Sequence, residues 1–99
     1  MHYMLTYTLA PDYMERRGQY RSEHLALAWQ AQERGDLVLA GPLSEPVDRA
    51  ILVFQGDSPK AAEDFAAIDP YVKGGTVTAW KVQPWHTVVG DLATDPIRG

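Results

Sequence analysis

Apolar side chains recur every second residue in some stretches of this chain and every three to four in others. The order of those stretches leaves few folds open. Tyr3, Leu5, Tyr7 and Leu9 alternate with Met4, Thr6 and Thr8, a period of two that specifies a strand. Ala10-Pro11-Asp12 ends it, because Pro11 has no amide hydrogen for a ladder and Asp12 can cap a helix. Residues 13–34 have helical spacing, loose up to Gly18, and Gly35 supplies a left-handed stop. Leu37–Leu43 reads as a second strand, Ser44-Glu45-Pro46 as a turn, and the continuous apolar run Ala50–Gln55 as a central strand buried on both faces. Asp57 and Ser58 are expected to cap a second helix that starts at Pro59 and turns Ala61, Ala62, Phe65, Ala66 and Ile68 inward. Asp69-Pro70 ends that helix, since a residue before proline avoids the helical region. Residues 70–75 read as loop and Thr76–Gln83 as the last strand.

The resulting order, β-α-β-β-α-β, is the split βαβ or ferredoxin-like arrangement: an α+β fold with an antiparallel four-stranded sheet and both helices on one face. It accounts for residues 1–85. Residues 86–99 form an irregular tail, expected to lie against a surface. With 99 residues the chain makes one domain with a thin core. Nothing in it covers the second sheet face. Either a second copy does, closing a dimeric α/β barrel, or Thr6, Thr8, Lys81 and Gln83 let that face meet water; large side chains on both faces favour the homodimer.

Composition removes several function classes. Apolar types make up 45% and charged types 22%, which excludes a disordered chain. The lack of cysteine excludes a disulfide scaffold, a thiolate metal site and a cysteine nucleophile. A net charge of −4 argues against nucleic acid or an anionic membrane surface as partner. No apolar run approaches the roughly 20 residues of a membrane span, and Met1-His2-Tyr3-Met4-Leu5 lacks the basic start of a signal peptide, so the expected compartment is cytoplasmic. The three histidines, His2, His24 and His86, have no ligand spacing, so no metal and no cofactor is expected. There is no glycine-rich phosphate cradle or dinucleotide fingerprint, and Ser44 lacks the G-x-S-x-G context of a nucleophile.

One anomaly remains. Arg17, Arg21 and His24 lie on the same side of the first helix as Tyr20, Leu25, Ala28 and Ala31, the side that should meet the sheet. Titratable groups there are costly unless paired. Asp69, at the exit of the second helix, can reach His24 because both helices pack on one sheet face. A carboxylate beside an imidazole fixes its tautomer and stabilises its protonated form, which makes a proton-transfer device. The same pair could equally be a structural tie between helices. Arg21 or Arg17 could hold an anionic group beside it, and Tyr71 and Trp85 could wall a pocket.

Arg21-x-x-His24-Leu25, Gly35-x-Leu37, Ala40-Gly41-Pro42, Asp57-Ser58 at a helix start, Asp69-Pro70-Tyr71 and a closing Pro84-Trp85 occur in that order. Over Tyr3 to Trp85 this pattern resembles the YCII-related (YciI-like) family. The resemblance implies a dimeric ferredoxin-like α/β barrel with a catalytic histidine and aspartate, matching His24 and Asp69. A related member of the family eliminates chloride from a hydroquinone with such a dyad. The resemblance thus implies a small cofactor-free enzyme that moves a proton, in an elimination or isomerisation, on a small organic substrate, aromatic ones included. In that reading His24 is the acid or base, Asp69 orients it, Arg21 anchors a negative group, and Tyr71 and Trp85 form the wall. The alternative is a non-catalytic dimeric module that binds a small molecule or a protein.

Overall fold

The computed structural model describes residues 1–99. Its elements are β1 (His2–Leu9), α1 (Tyr13–Arg16), a 3₁₀ turn (Arg17–Gln19), α2 (Arg21–Glu33), β2 (Leu37–Pro42), β3 (Arg49–Gln55), α3 (Lys60–Ile68), α4 (Pro70–Lys73) and β4 (Val77–Trp85). The strands form one antiparallel sheet in the order β2-β3-β1-β4. This is the ferredoxin-like fold expected from the order of periods.

The alternation of β1 sets the two faces of the sheet. Tyr3, Leu5, Tyr7 and Leu9 are all buried, and in register they sit beside Phe54, Leu52 and Ala50 of β3, with Val82 of β4 opposite Leu5. Ala28 and Ala31 of α2 and Ala62, Phe65 and Ala66 of α3 close the same core from above. Alanines at these points let the helix backbones approach the sheet closely, and the tyrosines and phenylalanines fill the space left. Leu5 and Leu52, almost fully enclosed, each contribute about 1.5–3 kcal/mol by leaving water.

The opposite face carries Met4, Thr6, Ile51 and Val53, half-buried within a single chain, and an exposed Leu39. Thr8, Lys81 and Gln83 make its β4 side polar and exposed. The face is therefore apolar along β1 and β3 and at Leu39 of β2. Ala50–Gln55 accordingly alternates, with Ala50, Leu52 and Phe54 buried and Ile51 and Val53 partly so.

Four expectations need correction. Residues 13–34 do not form one helix; a 3₁₀ turn over Arg17–Gln19 separates α1 from α2. Glycine costs about 1 kcal/mol inside a helix, and the ring of Tyr20 covers Gly74, at a spot where any β-carbon would collide with it. Tyr20 is the N-cap residue of α2. Residues 70–75 contain one helical turn, α4, because Asp69 caps it through its side chain and Pro70 occupies its first position. At the second helix, Pro59 is the N-cap residue and neither Asp57 nor Pro59 makes a capping bond; Ser58 Oγ accepts from Lys60 N at 3.3 Å. The last strand runs past Gln83 to Trp85, and the first begins at His2, one residue before Tyr3. His2 is buried, pairs with Trp85 in the sheet, and its Nδ1 lies 2.7 Å from Thr87 Oγ1. The tail beyond is irregular but closed on itself, with Asp95 N donating to Thr87 O at 3.0 Å and Ile97 N to Val88 O at 2.9 Å.

Candidate functional site

Asp69 occupies the joint between α3 and α4. Pro70 holds it extended, at φ −66° and ψ 122°, which turns its carboxylate back under the sheet-facing side of α2. The residue is fully buried. A buried carboxylate is tolerable only when its oxygens are bonded, and here three donors meet it. Tyr71 N donates to Oδ1 at 3.0 Å, the Tyr7 hydroxyl donates to Oδ2 at 2.7 Å, and His24 Nδ1 lies 2.9 Å from both oxygens. A carboxylate only accepts, so Nδ1 carries the hydrogen and Nε2 is left as the basic nitrogen of the neutral ring. Nε2 has no partner within the chain, and no buried side-chain nitrogen or oxygen is left unsatisfied, so Nε2 is open to solvent.

The imidazole is held as tightly by apolar contacts as by the carboxylate. The Tyr71 ring stacks on it at 4.0 Å between centroids and 15° between planes, and the Phe65 ring meets it edge-on at 6.1 Å and 73°. Tyr13 in turn packs edge-on against Tyr71 at 5.6 Å, and the Arg17 guanidinium carbon sits 5.9 Å from the centre of the Tyr13 ring. Burial, reinforced by the charge of Asp69 and the hydrogen bond to it, pushes the Tyr7 hydroxyl far above its ordinary range, so it remains a neutral donor. Burial likewise raises the Tyr71 hydroxyl, helped by Tyr13, while Arg21 and Arg17 pull in the other direction. Both guanidinium groups are thus close enough for Tyr71 to feel their charge.

Beside this cluster a cavity of about 440 Å³ opens between α2 and the β2 side of the sheet. His24, Tyr7 and Tyr71 form one end, Arg17 and Arg21 stand at the same end, and Leu25 and Trp29 of α2 with Ala40 of β2 form an apolar wall. The volume suits a small organic molecule. Gly41 and Pro42 of β2 lie along it as well.

Of the residues expected at the site, His24, Arg21 and Tyr71 line the cavity, and Asp69 stands directly behind His24. Trp85 does not belong there. It is opposite His2 in the β1–β4 register, hence on the face away from the helices, with its ring 6.1 Å from the His2 ring. The reason is parity: β4 continues two residues past Gln83, and alternation along it sends Trp85 to the other side. Tyr7 was missed as a member of the cluster. Its position in β1 marks it as inward, but nothing in a period of two separates a packed ring from one whose hydroxyl meets a carboxylate. No group of three or more His, Asp or Glu side chains is arranged to hold a metal ion, and no helix is long and apolar enough to cross a membrane.

Comparison with known proteins agrees with the fold. The model of the YCII-related domain matches residues 1–86. An uncharacterized protein of Haemophilus influenzae is 31% identical over 97 residues, covering 89% of this chain and 99% of that protein. Among solved structures, 5-chloro-2-hydroxyhydroquinone dehydrochlorinase (TftG) from Burkholderia phenoliruptrix, in complex with 2,5-dihydroxybenzoquinone, shares the fold with a TM-score of 0.73. It has 19% identity and is covered over 95% of its length by 88% of this chain. A protein from Agrobacterium tumefaciens is similar with a TM-score of 0.57 and 13% identity, over 95% of this chain and 98% of its own. By its sequence match over nearly the whole length, the chain belongs to the YCII-related domain family.

Proposed function

We propose that the chain is a small enzyme that transfers a proton on a small organic substrate seated in the cavity beside His24. The observation that carries this reading is the division of labour in one imidazole: Nδ1 is bound to a fully buried carboxylate while Nε2 stays open at the cavity end. His24 Nε2 takes a proton from an activated carbon or hydroxyl of the substrate, and Asp69 steadies the imidazolium that results. Asp69 is a positioning residue, itself held by Tyr7 and the Tyr71 amide. The electron pair released by the broken C–H or O–H bond then expels a leaving group, in an elimination, or shifts along the substrate and is reprotonated by His24, in an isomerisation. Arg21 is proposed to anchor a negative group of the substrate, and Tyr71 to keep the imidazole ring in its plane by stacking. The dehydrochlorinase sharing the fold supports an elimination as the reaction class.

The test uses His24→Gln and Asp69→Asn against the parent protein. Substrates are chlorinated hydroquinones, assayed for chloride release, and cyclic keto acids, assayed for proton exchange in D₂O by NMR. Loss of the general acid–base group is expected to lower the rate on a turned-over compound by about 10²–10⁴-fold, and loss of its carboxylate partner by less. Saturable binding of such compounds with neither turnover nor exchange in the parent would replace the enzyme with a binding module.

We also infer that two copies pair through the open sheet face, because Met4, Ile51 and Val53 form an apolar band that a single chain leaves partly wet.

A further inference from the structure

The cavity differs in charge from the rest of the molecule. The chain carries thirteen acidic and nine basic residues, a net charge of −4. Yet no aspartate or glutamate lines the cavity, whereas Arg17, Arg21 and His24 do. The only carboxylate close by, Asp69, is fully buried behind His24 and has its oxygens occupied by three donors. Nor are the two arginines consumed elsewhere. The ion pairs of the chain engage Arg16, Arg34, Arg49 and Lys60, and Arg17 meets only the face of Tyr13. Two guanidinium groups beside a low-dielectric wall, with no internal counter-ion, make a focused positive site in an acidic protein.

The opposite wall has the complementary property. Leu25 and Trp29 border the cavity yet remain 41% and 63% exposed. Large apolar side chains gathered at one rim and left to water are covered most economically by the body of a ligand. Arg21 and His24 are three residues apart on α2, so they project from neighbouring positions on one face. A group held by Arg21 therefore lies on the same helix face as Nε2.

We infer that the cavity selects small monocarboxylates with an apolar ring, the carboxylate held jointly by Arg17 and Arg21 and the ring laid against Leu25 and Trp29. This rests on the cavity being the substrate site proposed above, and adds to that reading the class of molecule it admits and a second anchor, Arg17. Carboxylate recognition also suits proton transfer. An anchored carboxylate keeps the substrate in one orientation while His24 acts on the next carbon.

The probes are benzoate and benzamide, which share shape and differ in charge, with binding followed at the Trp29 indole N–H resonance. The parent is expected to bind benzoate at least about 10-fold more tightly than benzamide at low salt, with the difference shrinking as salt is added. Arg17→Gln combined with Arg21→Gln should bring the two affinities within about 2-fold of each other, and the corresponding double lysine variant should keep part of the preference. Both side chains are at least partly exposed, so the fold should survive, which a thermal melt checks. Equal affinity of the parent for the two probes, no binding of benzoate, or an unchanged preference in the double glutamine variant would each overturn the inference. Turnover of a neutral substrate without carboxylate preference would defeat this inference and leave the proton-transfer reading intact. Carboxylate preference with no turnover would do the reverse.

Discussion

At the residue scale the site is a chain of constraints that ends at one nitrogen. Pro70 sets the backbone of Asp69, Asp69 sets the tautomer of His24, and Tyr7 with the Tyr71 amide saturates what remains of the carboxylate. Tyr7→Phe removes one donor from a buried charge, and urea unfolding at pH 8 should show a loss of about 1–3 kcal/mol. The pH dependence follows from the raised Tyr7 hydroxyl. The folded chain holds that proton more tightly than the unfolded chain, whose tyrosine ionises near 10.0. Between that pH and the higher folded value the unfolded state alone releases the proton, so stability is full below about pH 10 and declines above it. Phenylalanine has no such proton. The stability gap between parent and Tyr7→Phe should therefore narrow as the pH passes 10, and a gap that widens would contradict the assignment. His24 and Asp69 were legible in the sequence because each breaks a local rule, a titratable group on an inward helix face and an aspartate before proline. Tyr7 broke none, and so went unseen.

At the element scale, the joint between α3 and α4 is the decisive piece of backbone. The dipeptide Asp69-Pro70 was read as a stop, which it is for α3, but the same two residues are a capping aspartate and a first-position proline for α4. Pro70→Ala lifts the restriction on Asp69, and α3 can then run on through it, drawing the carboxylate away from α2. The expected result is the loss of a protected His24 Nδ1–H resonance in the NMR spectrum, together with destabilisation of about 1 kcal/mol. Survival of that resonance at full strength would mean that packing of α4 alone holds the joint. The interruption between α1 and α2 was only half legible. Gly18 weakens the helix in the sequence, but the packing of Tyr20, the N-cap residue of α2, over Gly74 joins residues that no local pattern links.

At the scale of the whole molecule, the sheet separates two tasks. Its helix-bearing face supplies the core and the cavity; its other face carries the half-buried apolar band proposed to meet a second copy. Ile51 and Val53 stand on that second face within the central strand β3, half-buried in one chain. Ile51→Glu or Val53→Glu puts a charge into the proposed interface, and sedimentation should show the parent as a dimer and either variant as a folded monomer. A parent that sediments as a monomer at all concentrations would remove the pairing. Trp85 lies at the end of this face, beside His2 and the tail, which is where an expected cavity residue went astray.

The sequence alone determined what depends on short-range periodicity: four strands, two main helices, their order, and hence the sheet topology. It also determined the inward face of β1 and most inward positions of the helices, although Leu25 and Ile68, expected inward, are exposed, and it showed that one histidine and one aspartate stood where they could be paired. Only the tertiary structure decided what depends on distances between residues remote in the chain. That includes the third partner of the carboxylate, the stacking of Tyr71 on the imidazole, the side of the sheet that Trp85 takes, and the gathering of Arg17 and Arg21 at a cavity without acids. Periodicity assigns a side chain to a face, but a site is made by two faces meeting, and their offset is fixed by how the helices settle on the sheet.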